Sequence, residues 1–488
     1  MNKVKPFYIT TTLPYVNAEP HIGHALEFVR ADVIARYKES VGYDVFFNTG
    51  TDEHGTKILE GAEKEGLPVQ DYVNKNAARF KELYPKLGIK EGFHFIRTTE
   101  EHHMQAAQEM WRICDKNGYI YKKEYEAKYC VGCELYKTDS ELEDGKCPIH
   151  PNRSIDIIKE ENYFFAFSKL EDKLRSLYEH NPELVVPEFR FNEIKAFLER
   201  GLEDFSISRL KSKMPWGVPV PGDDDHVMYV WFDALTNYVS TLGWPDGDNY
   251  KKYWEQGEQE AREVVQYCGK DNLRQQSAIW QAMLLASGLP HTTSIIINGF
   301  IISGGQKMSK STGNGINPFD ILDMFKSVTD YPEDVLRFIL LHEVPSFEDG
   351  DLTIDSIKTA YTAYLANGIG NLTSRIMRMA ITNSVSLSAL TRNTKEKENN
   401  LEKFDTNVAI KNLMQTMRAL DEYIATHEPF KVVKVDQEKG KEMISFCLRG
   451  LLDFSNQLEV FLPKTSAKIL ECIHENKMPE KPLFGRLA

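Results

Sequence analysis

Phe7-Tyr-Ile-Thr-Thr-Thr12, continued by Leu13-Pro-Tyr-Val-Asn-Ala-Glu-Pro-His-Ile-Gly-His24, decides the fold. The first six residues are aromatic and β-branched, the composition of a buried strand. A turn from Pro14 to Pro20 follows. A helix then starts near His21, with apolar positions at Leu26, Val29, Val33 and Ile34. Gly42-Tyr-Asp breaks it. Val45-Phe-Phe is a second strand, running into the loop Asn48-Thr-Gly-Thr-Asp-Glu-His-Gly55 and a helix from Thr56 to Glu65. Strand, loop, helix repeated in this way predicts a parallel α/β sheet. Ligands of such sheets sit at the carboxyl ends of strands, so the loops at 13–24 and 48–55 are candidate site loops.

Outward from this core, residues 98–116 read as a helix. From Tyr119 to Phe205 the pattern changes to short strands and turns, which predicts an insertion. The α/β pattern resumes at Val227-Met-Tyr-Val-Trp231, with further strands at Val264–Cys268 and Thr293–Asn298, and a Gly/Ser/Lys/Asn-rich loop at 303–318. From Thr359 onward the periodicity is helical throughout, as in Leu413, Met417, Leu420 and Ile424, and predicts a helical bundle. Lys395–Asn400 reads as a solvated loop. The net charge of −13 over 488 residues argues against non-specific nucleic-acid binding. The charge is uneven: residues 359–488 hold 18 Lys and Arg against 15 Asp and Glu, so a polyanion is better accommodated there. No apolar run approaches the ~20 residues of a membrane-spanning helix, and the N-terminus lacks a signal-peptide core. The expectation is an intracellular, cytoplasmic protein that does not enter membranes.

Three constellations carry chemistry. His21-Ile-Gly-His24 places two imidazoles at a helix N-terminus, where free amides and the helix dipole favour an anion such as a triphosphate. Lys307-Met-Ser-Lys-Ser311 puts Lys307 and Lys310 in a Gly/Ser-rich loop able to fold over phosphates. Cys130-x2-Cys133 and Cys147-x2-His150 are two ligand pairs that close a tetrahedron around one Zn²⁺ and leave no open position, a structural site. The other cysteines, Cys114, Cys268, Cys447 and Cys472, stand singly and read as buried thiols.

The His and Lys motifs together resemble the two signatures of class I aminoacyl-tRNA synthetases. Leu13 to His24, Thr49-Gly-Thr-Asp-Glu-His-Gly-Thr, Tyr229-Val-Trp-Phe-Asp-Ala-Leu-Thr-Asn-Tyr and Asn298-Gly-Phe are similar to methionyl-tRNA synthetases in particular, over nearly the whole chain. The resemblance implies a Rossmann-like parallel-sheet catalytic domain in two parts (1–118 and 206–302) around a zinc-bearing connective insertion (119–205). A lysine-motif and stem-contact region (303–358) and an α-helical anticodon-binding bundle (359–488) follow. It implies a methionine pocket of Leu13, Tyr15, Trp231, Ala234 and Tyr238, with Asp52 for the ammonium and Arg209 paired to Asp52. Glu27, Gly269, Asp271 and Ile301 fall near the nucleotide, beside His21, His24, Lys307 and Lys310. Asp271 reads equally as a helix N-cap. Asn367, Asn371 and Arg375, spaced i, i+4, i+8, would face the anticodon with Phe430, which stands where the family has Trp; packing between helices is the alternative for these residues. One departure falls in the pocket. After Gly269-Lys-Asp the family shows an aromatic residue and then a histidine, and here the places read Gln275-Gln276. If Gln276 lines the pocket, its amide should partner the hydroxyl of Tyr15 or Tyr238; otherwise both glutamines face away.

The function implied is ATP-dependent charging of methionine tRNA, initiator and elongator, with Mg²⁺ accompanying ATP, by a monomer. Two alternatives are a different class I synthetase and a catalytically silent tRNA-binding module. Residues 119–205 are too short for the editing insertion of a leucine, isoleucine or valine enzyme. A cysteine enzyme would carry its zinc ligands in the substrate pocket. A silent module has no chemical need for intact His and Lys motifs.

Overall fold

The computed structural model describes residues 4–133, 135–137, 142–255, 262–304, 306–307, 316–387 and 399–487. Its centre is a six-stranded sheet, all pairings parallel. The order is β3 (His94–Arg97), β2 (Asp44–Thr51), β1 (Pro6–Thr11), then Glu263–Gly269, Ser294–Asn298 and Val185–Val186. Helix α1 (Ile22–Ser40) and helix α2 (Thr56–Glu65) follow β1 and β2. Strand β1 is buried on both faces: Phe7 and Ile9 enter one core with α1, and Tyr8 enters the other with Trp254 and Trp280. That alternation is the two-residue period of a strand. The chain leaves β1 toward β2 on one side and returns to the Glu263–Gly269 strand on the other. The two strands diverge in connectivity there, which opens the crevice where such sheets hold ligands.

Three expectations need correction. Asn48–Thr51 belong to β2, not to a loop, because Asn48, Thr49, Gly50 and Thr51 pair in register with His94–Arg97. The 119–205 segment is not wholly an insertion. Strands Ile120–Cys130, Leu135–Lys137, Ile155–Phe165 and Phe205–Ser206 form a separate antiparallel sheet, yet Val185–Val186 return to the central one. The strand at 227 does not resume the parallel sheet either. Asp223–Met228 pairs antiparallel with Pro219–Val220 and Ser208–Leu210 in a three-stranded sheet of its own. An apolar run bounded by turns reads alike in all three settings, and only the pairing partner separates them.

Helix α1 is buried nearly all round, polar side chains included. Arg30 donates to the carbonyls of Val344, Pro345 and Ser346 and to Asn298 Oδ1, all at 2.7–2.9 Å. Asp32 and Arg337, both without solvent exposure, pair at 2.7 Å, and Arg337 also donates to the carbonyls of Phe461 and Val460. Lys38 bridges Glu263 and Glu402. The C-terminal helices, among them Asn371–Thr382, Thr406–His427, Gln437–Leu458 and Pro463–Glu475, share one apolar core with α1. Breaking one partner of such a pair leaves a buried charge uncompensated, so these contacts fix where α1 points.

Candidate active site

The N-terminus of α1 opens into the crevice. His21 is its N-cap, and its Nδ1 accepts from the Gly23 amide at 3.1 Å, while His24 Nδ1 accepts from the His21 amide at 3.2 Å. A backbone N–H can only donate, so each ring carries its proton on Nε2. The two imidazoles stack 3.6 Å apart. Burial, with His21 alongside, holds the His24 pKa well below its ordinary value, so its ring is neutral. Two Nε2–H donors and a positive helix end therefore sit together, a receptor for phosphate oxygens.

Glu27 lies one turn further on and accepts from the Thr12 amide at 2.7 Å. Burial raises its pKa to about 8, and the Asp271 carboxylate adds to the rise. Across the switch point, Gly269 ends its strand and begins the short turn Lys270–Asn272. A Cβ on Gly269 would come 2.7 Å from Asp271 Oδ1, so the bare backbone permits this approach. Asp271 lies inside the turn, whose N-cap is Gly269; the capping role is not the one it has. Ile301 is buried at the start of Ile301–Ser303, and the Lys307 main chain pairs opposite Ile302. Lys310 lies outside the described residues.

The predicted amino-acid pocket is assembled from the next loops. Tyr15 and Asp52 pair as a parallel bridge, with backbone bonds from Asp52 to Pro14 and from Val16 to Asp52. Gly55 has φ +115°, and a Cβ there would lie 2.5 Å from Tyr15 Oη, so only glycine lets the ring lie across this turn. Leu13, Ala234 and Tyr238 are buried and Trp231 is half-buried, the last three carried by Val230–Leu235 and Asn237–Ser240. Arg209 donates to Ser206 Oγ and the Ser208 carbonyl, and its guanidinium lies 4.1 Å from the Tyr229 ring centre. Gln276 faces inward: it is 1% exposed and its amide donates to Tyr238 Oη, one of the two hydroxyls expected.

Two supports were not visible in the sequence reading. Glu53, fully buried beside Asp52, accepts from Arg97, Thr51 and Thr99. Asp233, between Trp231 and Ala234, takes His54 Nδ1 at 2.6 Å and His103 Nε2 at 2.9 Å, and His103 Nδ1 meets Ser240 Oγ. Burial works against the Asp233 charge, but the two imidazoles outweigh it and hold its pKa down to about 2. Loop 52–55 and the Trp231–Tyr238 segment are thereby fastened to each other and to the helix Glu101–Lys116. An acidic residue inside Val-Trp-Phe-Asp-Ala-Leu was the one available signal.

The four metal-ligand candidates converge. The Cys130, Cys133 and Cys147 sulfurs and a His150 ring nitrogen lie within 4.8 Å of one another. Four of the separations, at 3.2–4.0 Å, bracket the edges of about 3.5–3.8 Å that ~2.3 Å Zn–S and ~2.0 Å Zn–N bonds impose on a tetrahedron. A Cβ on Gly132 would stand 2.4 Å from His150 Cγ, so the knuckle closes only around glycine. Lys57 of α2 donates to the Gly132 carbonyl and docks the knuckle on the catalytic domain.

Over the helical bundle, Asn367 and Asn371 are exposed, and half-buried Arg375 donates to Asp421. Asn367 lies in a π-helix, Tyr361–Gly370, rather than in an α-helix, so its alignment with Asn371 is looser than the i, i+4 spacing implies. Phe430 is 39% exposed at the start of Pro429–Val435. Phe446, 54% exposed, packs on Tyr423, which also meets His427.

A parallel sheet whose switch point carries this histidine-capped helix, with a four-ligand knuckle inserted and a helical bundle behind, defines a class I aminoacyl-tRNA synthetase. The family described as "tRNA synthetases class I (M)" matches residues 7–156 and 150–377. The methionine–tRNA ligase of Brucella suis is 35% identical over 486 residues, covering 96% of this chain and 91% of that one. That of Thermotoga maritima is 42% identical over 378 residues, 76% of this chain and 57% of that one. The Mycobacterium tuberculosis methionyl-tRNA synthetase in complex with methionyl-adenylate superposes with a TM-score of 0.87 at 31% identity, over 98% of this chain and 95% of that one. The chain belongs to the methionyl-tRNA synthetases. Among the described residues no helix is long and apolar enough to cross a membrane.

Proposed function

We propose that the chain activates methionine with ATP and passes it to tRNA, with the following division of labour. The methionine carboxylate attacks the α-phosphate, giving methionyl-adenylate and pyrophosphate. The terminal ribose hydroxyl of methionine tRNA, initiator or elongator, then attacks the methionyl carbonyl, forming the ester and releasing AMP. No protein nucleophile is needed, so the residues act by position and charge. His21 and His24 donate their Nε2–H groups to phosphate oxygens. Lys307 and Lys310 neutralise the β- and γ-phosphates. Glu27, Gly269, Asp271 and Ile301 frame the adenosine. Asp52, with Arg209 nearby, receives the ammonium, while Leu13, Tyr15, Trp231, Ala234, Tyr238 and Gln276 enclose the side chain. An apolar, aromatic enclosure suits a soft thioether. Asn367, Asn371, Arg375 and Phe430 meet the anticodon. Mg²⁺ bound with ATP supplies further charge at the phosphates. One zinc on Cys130, Cys133, Cys147 and His150 holds the knuckle, and metal analysis should return about one zinc per chain. The reaction takes place in the cytoplasm.

The observation that carries this reading is the pair of Nε2–H donors at the switch point beside a buried, bonded pocket. ATP–pyrophosphate exchange across the twenty amino acids tests it. Methionine should be the best substrate; a different winner would end the methionine assignment and leave the class intact, and no exchange at all would favour a silent module.

A further inference from the structure

We propose that Gln281, Thr292 and Gln266, none of which reaches the substrate, are positioning residues for amino-acid selection: they form a backbone-anchored hydrogen-bond chain that fixes the Tyr238 hydroxyl as a donor toward the bound side chain. The proposal rests on the methionine reading above and adds to it the device that orients the pocket.

The direction of the chain follows from groups that cannot reverse. The Thr292 backbone N–H can only donate, and it meets Gln281 Oε1 at 3.3 Å. The Gln276 backbone carbonyl can only accept, and it meets Gln281 Nε2 at 3.1 Å. Those two contacts lock the Gln281 amide, whose Nε2 also donates to Thr292 Oγ1 at 3.0 Å. The Thr292 hydroxyl accepts there with one of its two lone pairs, and its single proton goes to Gln266 Oε1 at 2.6 Å, the one side-chain acceptor it meets among the described residues. The Gln266 amide is then locked in turn, and its Nε2 donates to Gln276 Oε1 at 3.3 Å. Gln276 presents Nε2 to Tyr238 Oη. Tyr238 accepts this bond, so its own proton must point elsewhere, and it finds no acceptor among the described residues. Gln266, Gln281 and Thr292 have no solvent exposure, and Gln276 and Tyr238 have 1%, so water does not scramble the order. A buried donor without a protein acceptor is the group a ligand acceptor rewards. The thioether sulfur of methionine is such an acceptor, a weak one, and the methylene of an isosteric straight-chain amino acid is not.

The test is pyrophosphate exchange with methionine and with norleucine, which replaces the sulfur by a methylene. The wild type should prefer methionine. Gln266→Met and Thr292→Val each remove a link while conserving shape, and each should lower the methionine/norleucine ratio of kcat/KM by about three- to tenfold, the worth of one neutral hydrogen bond. The loss should fall on KM for methionine, with kcat nearly unchanged. Gln266→His should retain the preference to within about twofold, because a neutral imidazole accepts on one nitrogen and donates on the other. Tyr238→Phe should show the same fall, and adding Gln266→Met to it should change the ratio by less than about twofold. Should Gln266→Met fail to fold, Thr292→Val carries the test. An unchanged ratio in Thr292→Val and Gln266→Met, or an equal loss of kcat on both substrates, would overturn the proposal. A wild type that activates some other amino acid best would instead overturn the methionine reading, and the wild-type measurement alone shows it.

Discussion

The proposed amino-acid pocket and the face of the helical bundle around Asn367–Phe446 are built on opposite terms. In and behind the proposed pocket, buried polar side chains are bound to protein partners: Asp233 to two histidines, Glu53 to three donors, Gln276 to Tyr238. On the bundle, Asn367 and Asn371 are open to solvent, Phe430 and Phe446 present aromatic surface, and Arg375 is engaged with a carboxylate it would have to leave. The difference matches the ligands proposed for the two regions. A small apolar side chain offers few contacts, so the site must be preorganised before it arrives. Splayed bases bring their own planes and edges, so exposed amides, a guanidinium and aromatic rings suffice.

The largest effect is expected where charge develops. His24→Ala and Lys310→Ala should each lower the rate of adenylate formation by a factor on the order of 10²–10³, with methionine binding in the absence of ATP little changed. Stopped-flow measurement of the adenylate step checks this. A loss of methionine binding instead would place either residue in the pocket.

Next comes the bundle. Arg375→Ala should weaken aminoacylation by about ten- to a hundredfold, the worth of a charged hydrogen bond, and leave pyrophosphate exchange intact, since activation needs no anticodon. Asp421→Asn, which releases Arg375, should move aminoacylation the other way or not at all. Parallel loss in both assays would make Arg375 a packing residue.

Asp233→Asn should reduce kcat/KM for methionine by about tenfold through KM, because the segment bearing Trp231 and Tyr238 loses its anchor to loop 52–55. The same variant has a signature in stability. The Asp233 carboxyl is held below its ordinary 3.8 in the folded chain, to about 2. The stabilisation from its charged form is therefore complete above the ordinary value and disappears as pH falls through about 2. Acid titrations of wild type and Asp233→Asn should differ in that window, and coincident curves would deny Asp233 its role.

The smallest effect is expected at Glu27. Burial raises its pKa to about 8, so near neutral pH it is mostly protonated in the free enzyme. Glu27→Gln copies that state and keeps the acceptor for the Thr12 amide, and exchange should change by less than about threefold. Glu27→Ala strands the amide and should cost more. If the glutamine variant is the worse of the two, the carboxylate charge is required.

The sequence disclosed those parts of this molecule that depend on short local patterns. Phe7–His24 announced strand, turn and helix because an aromatic and β-branched run meets a 3.6-residue period there, and the Cys-x2-Cys and Cys-x2-His pairs announced the knuckle by spacing alone. The return of Val185–Val186 to the central sheet was hidden, since a two-residue strand has no period to read. The Asp233 cluster joins positions 54, 103 and 233, and the amide chain joins 238, 266, 276, 281 and 292. Nothing in a one-dimensional pattern brings such residues together. Gln276 was conspicuous as a departure, but its partner Gln266 sat unremarked inside a strand. The π-helical turn at Asn367 was likewise invisible, because the residues of Tyr361–Gly370 suit an α-helix equally well.

The most direct test of the central claim is a single-turnover reaction of enzyme, ATP and methionine without tRNA, with pyrophosphate and enzyme-bound adenylate quantified together. A preorganised pocket at the switch point predicts about one equivalent of methionyl-adenylate per active site, formed with an equal amount of pyrophosphate and absent when methionine is withheld. Pyrophosphate release that requires tRNA, or that proceeds equally well with an unrelated amino acid, would contradict the account.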